Sequence, residues 1–521
     1  MPIAPVPTER PHDLTPTRLA WLDALRGIGA TAVVAEHLLP WFLPSLRPYW
    51  FNLGVYGILV FFLVSGYIIP ASLERHGDLR AFWISRAFRL YPLYLAVIGL
   101  VLAMAWWVPV REAVPRDGSA VAAHATMLLD VVNVGGVTDT MWTLSYEMVF
   151  YLLVAALFTV RLHERSGLLA MLFGAGAVSA GLVLPGAVVS GGWPAYTSAG
   201  ALVAGLVCVV TGRLRTAAAC ALGLMALALL VLSSRVPWLG VAVVAVMFAG
   251  TAVHRWERGT GGLWPVAVTT AFVALAPIRA VEAGWWWVEP GVWITTIALA
   301  AATFAGGMAL RGRRVPRWLS RLGLISYSLY LVHHPLLKFF VELTGDLRGE
   351  PLPVQVALAV TALTVILAVS ALAFRYVEKP MRSLGRRLAR AGTPAPANPP
   401  SSPLSPLLPA ARTPRVSRRR PRTPWRPGVL SRSGTRAAVR PGCRSVPGPG
   451  RSRRAVPGPG GRPGPPTSGT PGAGSRARPR SPPRPARGWE PQEPRPGRSP
   501  VRADQRRAAT ARGRDTPHRS G

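Results

Sequence analysis

The chain has 521 residues, half of them hydrophobic, and a formal net charge of +36 at pH 7. The charge and the apolar residues lie apart: from Gly392 onward there are 28 arginines against 4 acidic residues, whereas residues 1–391 hold uncharged apolar runs such as 216–234 and 354–374. Runs of that length reach the ~20 residues that cross ~30 Å of hydrocarbon, which argues against a soluble nucleic-acid-binding protein despite the basic balance.

Breaks at charges, proline and glycine divide the body into twelve candidate membrane spans, near 19–43, 53–71, 90–110, 143–162, 167–189, 193–211, 216–234, 237–254, 263–281, 286–309, 319–342 and 354–376. The ninth and tenth are the weakest, because Trp285, Trp286 and Trp287 fit an interface or a re-entrant turn as well as a helix. The first is not a cleaved signal peptide, since it is long and carries Arg26, Glu36 and His37. The expected fold class is therefore all-α, a polytopic transmembrane bundle of 10–12 spans. Residues 1–16 form a cytoplasmic segment, 17–384 the membrane domain and 385–521 a disordered tail rich in Pro, Arg and Gly.

Orientation follows from the loop arginines. With the N-terminus in the cytoplasm, 17 arginines of the N-terminal flank and inner loops face 6 in the outer loops. Dropping one span would flip every later loop, so an even number with both termini cytoplasmic is the consistent choice, in the plasma membrane. The tail cannot bury enough apolar area to offset its ordering entropy. Its arginines could meet anionic lipid, but no specific nucleic-acid partner is expected. The three cysteines, Cys208, Cys220 and Cys443, are too scattered for a disulfide framework or a zinc site, and no metal is expected.

Ionisable groups in a spanning helix are expensive, so each needs a reason. Arg26 and His37 are eleven residues apart, which places them about 20° apart on one helical face and roughly 16 Å apart along the axis. A cation that meets phosphate and an imidazole that takes a proton would share that stripe; the plain alternative is a snorkelling arginine and a packing histidine. Ser65-Gly66, after Phe61-Phe62-Leu63-Val64, permits close approach of two helices. Arg86 and Arg89, in a short basic loop ending at Pro92, share one face and suit either phosphate or simple anchoring on the inner side. Trp142 to Glu147 opens the fourth span, where Glu147 is a candidate partner for His37. The stretch from Ser326 to Pro335 contains His333 and His334, and the last span closes with Arg375 to Pro380.

Together these residues resemble the acyltransferase-3 family of polytopic membrane acyltransferases, over roughly residues 17–384. Arg26 and His37 match its Arg-ten-residues-His motif, Phe61 to Tyr67 its FFxxSG(F/Y) motif and Arg86, Arg89 and Pro92 its RxxRxxP segment. Trp142 to Glu147 resembles its WTLxxE segment, and Tyr327 to Pro335 its SYxxYLxH signature with His333 at the histidine position. Twelve spans exceed the family's usual ten, and the tail matches nothing in it. The resemblance implies transfer of an acyl group, by default acetyl, from cytoplasmic acyl-CoA (a donor substrate, with no bound cofactor) to a hydroxyl of a carbohydrate or glycosylated acceptor. On that basis His37 is the expected general base and Glu147 its orienting or charge-stabilising partner. Arg86, Arg89 and Arg26 are expected to hold the phosphates of CoA, with Ser65, Trp142 and His333 as further substrate-binding residues. A proton-coupled secondary transporter is the alternative, disfavoured because the halves show no repeat and the charged motifs crowd into the first 150 residues.

Overall fold

The computed structural model describes residues 17–112 and 114–391. The expected cytoplasmic segment 1–16 and the tail from Gly392 lie outside them. Fifteen α-helices follow in order: α1 (Thr17–Phe42), α2 (Leu53–His76), α3 (Leu79–Met104), α4 (Gly118–Thr126), α5 (Trp142–Thr159), α6 (Ser166–Val183), α7 (Trp193–Thr211) and α8 (Arg215–Leu232). After these come α9 (Pro237–Glu257), α10 (Trp264–Leu275), α11 (Pro290–Ala309), α12 (Arg317–Leu324), α13 (Ser326–Thr344), α14 (Leu352–Ala373) and α15 (Lys379–Ala391). The described residues contain no strand, and the chain is a multi-pass membrane protein of helices.

Helices stand at all twelve expected stretches, and ten are long and apolar enough to cross a bilayer. The two that fall outside that set are α1 and α13. Both are long enough, with 26 and 19 residues, but α1 carries Asp23, Arg26, Glu36 and His37, and α13 carries Ser326, Ser328, His333, His334 and Lys338. Of the helices at the twelve expected stretches, these two thus carry the polar residues that the site is built from.

Three expectations need correction. The third helix begins at Leu79 rather than near residue 90, so Arg86, Arg89 and Pro92 lie inside α3 and not in a loop. The tryptophans at 285–287 belong to the turn before α11, where Trp287 is buried and stacks on Trp238 with ring centroids 6.0 Å apart. At the far end the helix continues through Ala391, seven residues past the expected boundary at 384. It does so by way of a wide π-helical turn over Phe374–Glu378. Pro380 has no N–H to return to Tyr376, and a locally widened turn accommodates that loss.

α9 is the centre of the bundle, buried along its length against α2, α6 and α10. Lipid supplies no hydrophobic force between helices, so close contact depends on small residues. A Cβ on Gly66 of α2 would stand 1.8 Å from the Met247 carbonyl oxygen of α9, and one on Gly250 would stand 2.3 Å from that of Leu63. The Thr251 hydroxyl donates to the Gly66 carbonyl at 2.8 Å across the same crossing. The Ser-Gly pair therefore serves close helix approach, as its residue types suggest.

α1 presents two different faces. Ala30, Val34 and Leu38, four residues apart, form one apolar row that packs with Leu329 and Leu337 of α13 and with Ala359, Ala362 and Ile366 of α14. This packing sets α13 beside α1 and brings their polar residues together.

Candidate active site

α13 is the spine of the site, and its side chains bond to four other elements. The Tyr327 hydroxyl donates to the Leu90 carbonyl of α3 at 2.8 Å. Ser328 donates to the buried Glu378 carboxylate at 2.7 Å, and Glu378 also accepts from Arg382 of α15 at 3.2 Å. Tyr330 donates to the Thr140 carbonyl at 2.9 Å, and its oxygen lies 2.7 Å from the Thr143 hydroxyl at the start of α5. His333 then meets His37 of α1, with Nε2 and Nδ1 3.3 Å apart.

Backbone carbonyls fix the tautomers here. His37 Nδ1 lies 2.8 Å from the Val33 carbonyl oxygen, and His333 Nδ1 lies 3.0 Å from that of Leu329. A carbonyl only accepts, so both Nδ1 atoms carry hydrogen. His333 Nε2 is therefore an acceptor that shares the one His37 Nδ1–H with the nearer Val33 carbonyl. His37 Nε2 keeps its lone pair and has no hydrogen-bond partner among the described residues. That is the geometry of an imidazole held ready to take a proton.

The third histidine of the cluster was not singled out by its sequence position. His334 is 93% buried, its ring perpendicular to that of His37 with centroids 5.2 Å apart. Its Nε2 lies 3.3 Å from the Asp139 carboxylate, which also pairs with Arg111. Arg111 Nη1 donates to the Gly136 carbonyl at 2.9 Å. Asp139 and Arg111 sit in the irregular stretches before α4 and α5, far from α13 in sequence, and nothing in local spacing marks them.

Glu147 does not join this cluster. Its carboxylate accepts a hydrogen bond from Tyr151, one turn on in α5, and its electrostatic neighbours are Arg26, Arg86 and Arg89. It faces the arginines rather than His37, because α5 runs away from the histidines after Thr143. The notion of Glu147 as the partner of His37 is therefore replaced by an arginine–carboxylate cluster about 16 Å down α1. Among the described residues neither Arg26, Arg86 nor Arg89 has a carboxylate within salt-bridge distance, and the Nε atoms of Arg86 and Arg89 are buried with no hydrogen-bond partner. The Arg86 guanidinium lies over the Tyr151 ring at 5.4 Å. Asp23, Arg382 and Glu378 surround this end.

The other expected residues are less engaged. Ser65 is half-buried on α2, and its hydroxyl makes no hydrogen bond among the described residues. Trp142 is half-buried at the start of α5, edge-on to Tyr146 at 5.7 Å. Glu36, whose charge also called for a reason, binds Arg47 at 2.5 Å and accepts from the Asn52 side chain and the Gly54 N–H. It ties the end of α1 to the start of α2. Among the described residues no group of three or more His, Cys, Asp or Glu side chains is placed to hold a metal ion.

The site is therefore two polar clusters joined by α1 and α13: unpaired arginines at one end, and a histidine with an open lone pair at the other. The profile of a family described as an acyltransferase domain matches residues 19–373. The O-acetyltransferase OatA of Staphylococcus aureus is 23% identical over 393 residues, which cover 71% of this chain and 58% of that protein. The putative peptidoglycan O-acetyltransferase YrhL of Bacillus subtilis is 24% identical over 409 residues, 70% of this chain and 55% of its own. The peptidoglycan O-acetyltransferase OatA of Listeria monocytogenes is 28% identical over 180 residues, 30% and 28% of the two chains. The chain thus spans less than two thirds of the length of these curated relatives. No solved structure matches it. With its five motifs all inside the matched segment, the chain belongs to the acyltransferase-3 family.

Proposed function

We propose that this protein is an O-acyltransferase that moves an acyl group, acetyl by preference, from acyl-CoA to a hydroxyl of a carbohydrate or glycosylated acceptor. The observation that carries the reading is His37: its Nδ1–H is fixed on the Val33 carbonyl while Nε2 is left open, on the same helix stripe as Arg26. The printed names of the relatives, O-acetyltransferases that include peptidoglycan ones, favour acetyl as the group and a glycan as the acceptor.

Arg26, Arg86 and Arg89 hold the phosphates of the donor. Arginine suits this because its planar fork matches phosphate oxygens in pairs. An extended pantetheine arm can bridge the interval from these arginines to His37, which would carry the thioester to the base. His37 Nε2 takes the acceptor proton as the hydroxyl oxygen attacks the thioester carbon. The Val33 carbonyl holds His37 in the correct tautomer, and His333 Nε2 supports it as a second acceptor for the same hydrogen. Glu147 balances the arginine charges instead of serving the base. Ser65 and Trp142 contact substrate, Trp142 offering the aromatic face that sugars pack on. The arginine end faces the cytoplasm, where acyl-CoA is made, and both termini lie on that side; the histidine end opens toward the acceptor.

The test uses the full chain in membranes, with radiolabelled acetyl-CoA and an N-acetylglucosamine oligomer as acceptor. Label should pass to a base-labile ester with release of free CoA, and Arg86→Ala should lose this at low donor concentration. Donor that is never consumed by wild-type membranes would defeat the reading.

A further inference from the structure

Three histidines meet at the acceptor end, and their surroundings differ in one decisive respect. His37 and His333 face backbone carbonyls and each other, and among the described residues neither has a carboxylate within salt-bridge distance. His334 alone pairs with one, Asp139 at 3.3 Å, and Arg111 holds that carboxylate from its other side. The Asp139 carboxylate therefore compensates positive charge on the His334 ring, whereas nothing comparable faces His37 or His333 among the described residues. His334 Nδ1, moreover, is buried and has no hydrogen-bond partner among the described residues. Buried polar atoms are nearly always satisfied, and one that is not, beside a candidate base, points to a ligand atom.

We propose that His334, oriented by Asp139, is a second catalytic group that donates Nδ1–H to the thioester carbonyl oxygen as charge develops on it. This rests on the acyltransferase reading above and adds the electrophilic half of the reaction. The acceptor oxygen bonds to the thioester carbon while its proton passes to His37 Nε2. The π pair of the carbonyl moves to oxygen, where the His334 N–H meets it. When that pair returns, the C–S bond breaks and the CoA thiolate takes the proton from His37. One alcohol and one thioester give one ester and one thiol, and His334 ends with the proton it began with. Neighbouring histidines thus divide base and donor roles because their surroundings differ, as paired carboxylates do elsewhere.

The groups that bear on His334 are Asp139 and Arg111 from the irregular stretches before α5 and α4, His37 of α1, Arg47 after α1, and His333 and Lys338 of its own helix. Only Asp139 is anionic among them. The test is label transfer from acetyl-CoA to an N-acetylglucosamine oligomer by full-length chain in membranes, measured as kcat and KM. His334→Gln should lower kcat about 100-fold, the usual loss for one oxyanion donor, with the KM for acetyl-CoA within about twofold. Asp139→Asn, which removes the carboxylate that faces His334, should lower kcat in the same direction, with the KM for acetyl-CoA again within about twofold. Imidazole in the buffer should restore part of the rate of His334→Ala, which a merely structural histidine would not allow. A kcat within about threefold of wild type in His334→Gln, or a His334→Ala rate that imidazole does not raise, overturns the assignment while leaving the acyltransferase reading in place. A wild type that transfers no label overturns both.

Discussion

Gly66→Ala places one methyl group into one of the closest helix crossings among the described residues. The new Cβ would stand 1.8 Å from the Met247 carbonyl oxygen, where ordinary contact begins at 3.4 Å. The obstacle is backbone, so no rotamer change relieves it, and α2 and α9 must part by more than an ångström. Because α9 is buried along its length, that movement disturbs its packing with α6 and α10 as well. Overpacking of this kind costs about 1–3 kcal/mol, and the upper end applies where backbone must shift. The Thr251 hydrogen bond to the Gly66 carbonyl goes with it, worth about 0.6 kcal/mol in a membrane. Alanine's better helix propensity returns about 1 kcal/mol. The net expectation is a loss of about 2.6 kcal/mol. Gly99→Ala on α3 is the matched control: nothing lies within 4 Å of its Cβ, so it should be neutral or slightly stabilising. Thermal unfolding of the two purified variants in the same detergent decides the matter. A Gly66→Ala protein as stable as Gly99→Ala would refute the close-crossing argument.

Glu36→Gln should destabilise by about 3 kcal/mol, since it leaves Arg47 unpaired among mostly buried groups, with 12% and 17% of the two side chains exposed; thermal unfolding measures it. Arg89→Ala should raise the KM for acetyl-CoA about tenfold with a smaller effect on kcat, through loss of a charge-assisted contact to phosphate. Glu147→Gln should act on that same KM, whereas a partner of His37 would act on kcat; steady-state kinetics separate the two. His124 outside the spans is buried, and burial holds its imidazole below the ordinary value of 6.5. Its Nδ1–H faces the Ala120 carbonyl while Nε2 accepts from the Val137 N–H at 3.2 Å, so only the neutral ring fits. A lowered pKa contributes stability that is full above 6.5 and declines as pH falls below it. Amide exchange at Val137 should therefore quicken on acidification, and a pH-independent rate would contradict this.

Much of the fold is legible because bilayer thickness imposes one length on every span. The start of α3 was missed because Arg80, Arg86 and Arg89 read as a solvated loop. In the fold Arg86 is covered by Phe82 and Tyr151, a contact that arises only when α3 meets α5. The stripe of Arg26 and His37 could be read from helical geometry alone, since both lie on one continuous helix. The partner of the base could not. Glu147 has the right chemistry and a motif around it, yet α5 carries it to the arginines. His334, Asp139 and Arg111 come together only through packing of α13 against the irregular residues before α5. Asp139 looks like any loop aspartate until His334 stands 3.3 Å away.

The central claim is that His37 takes the acceptor proton in acyl transfer. The direct measurement is label transfer from acetyl-CoA in membranes holding equal amounts of wild-type and His37→Ala protein, with donor binding measured on the same preparations. The account predicts that His37→Ala binds acetyl-CoA as wild type does and forms no base-labile ester above background. Near-normal ester formation by His37→Ala would contradict it and remove His37 from the mechanism.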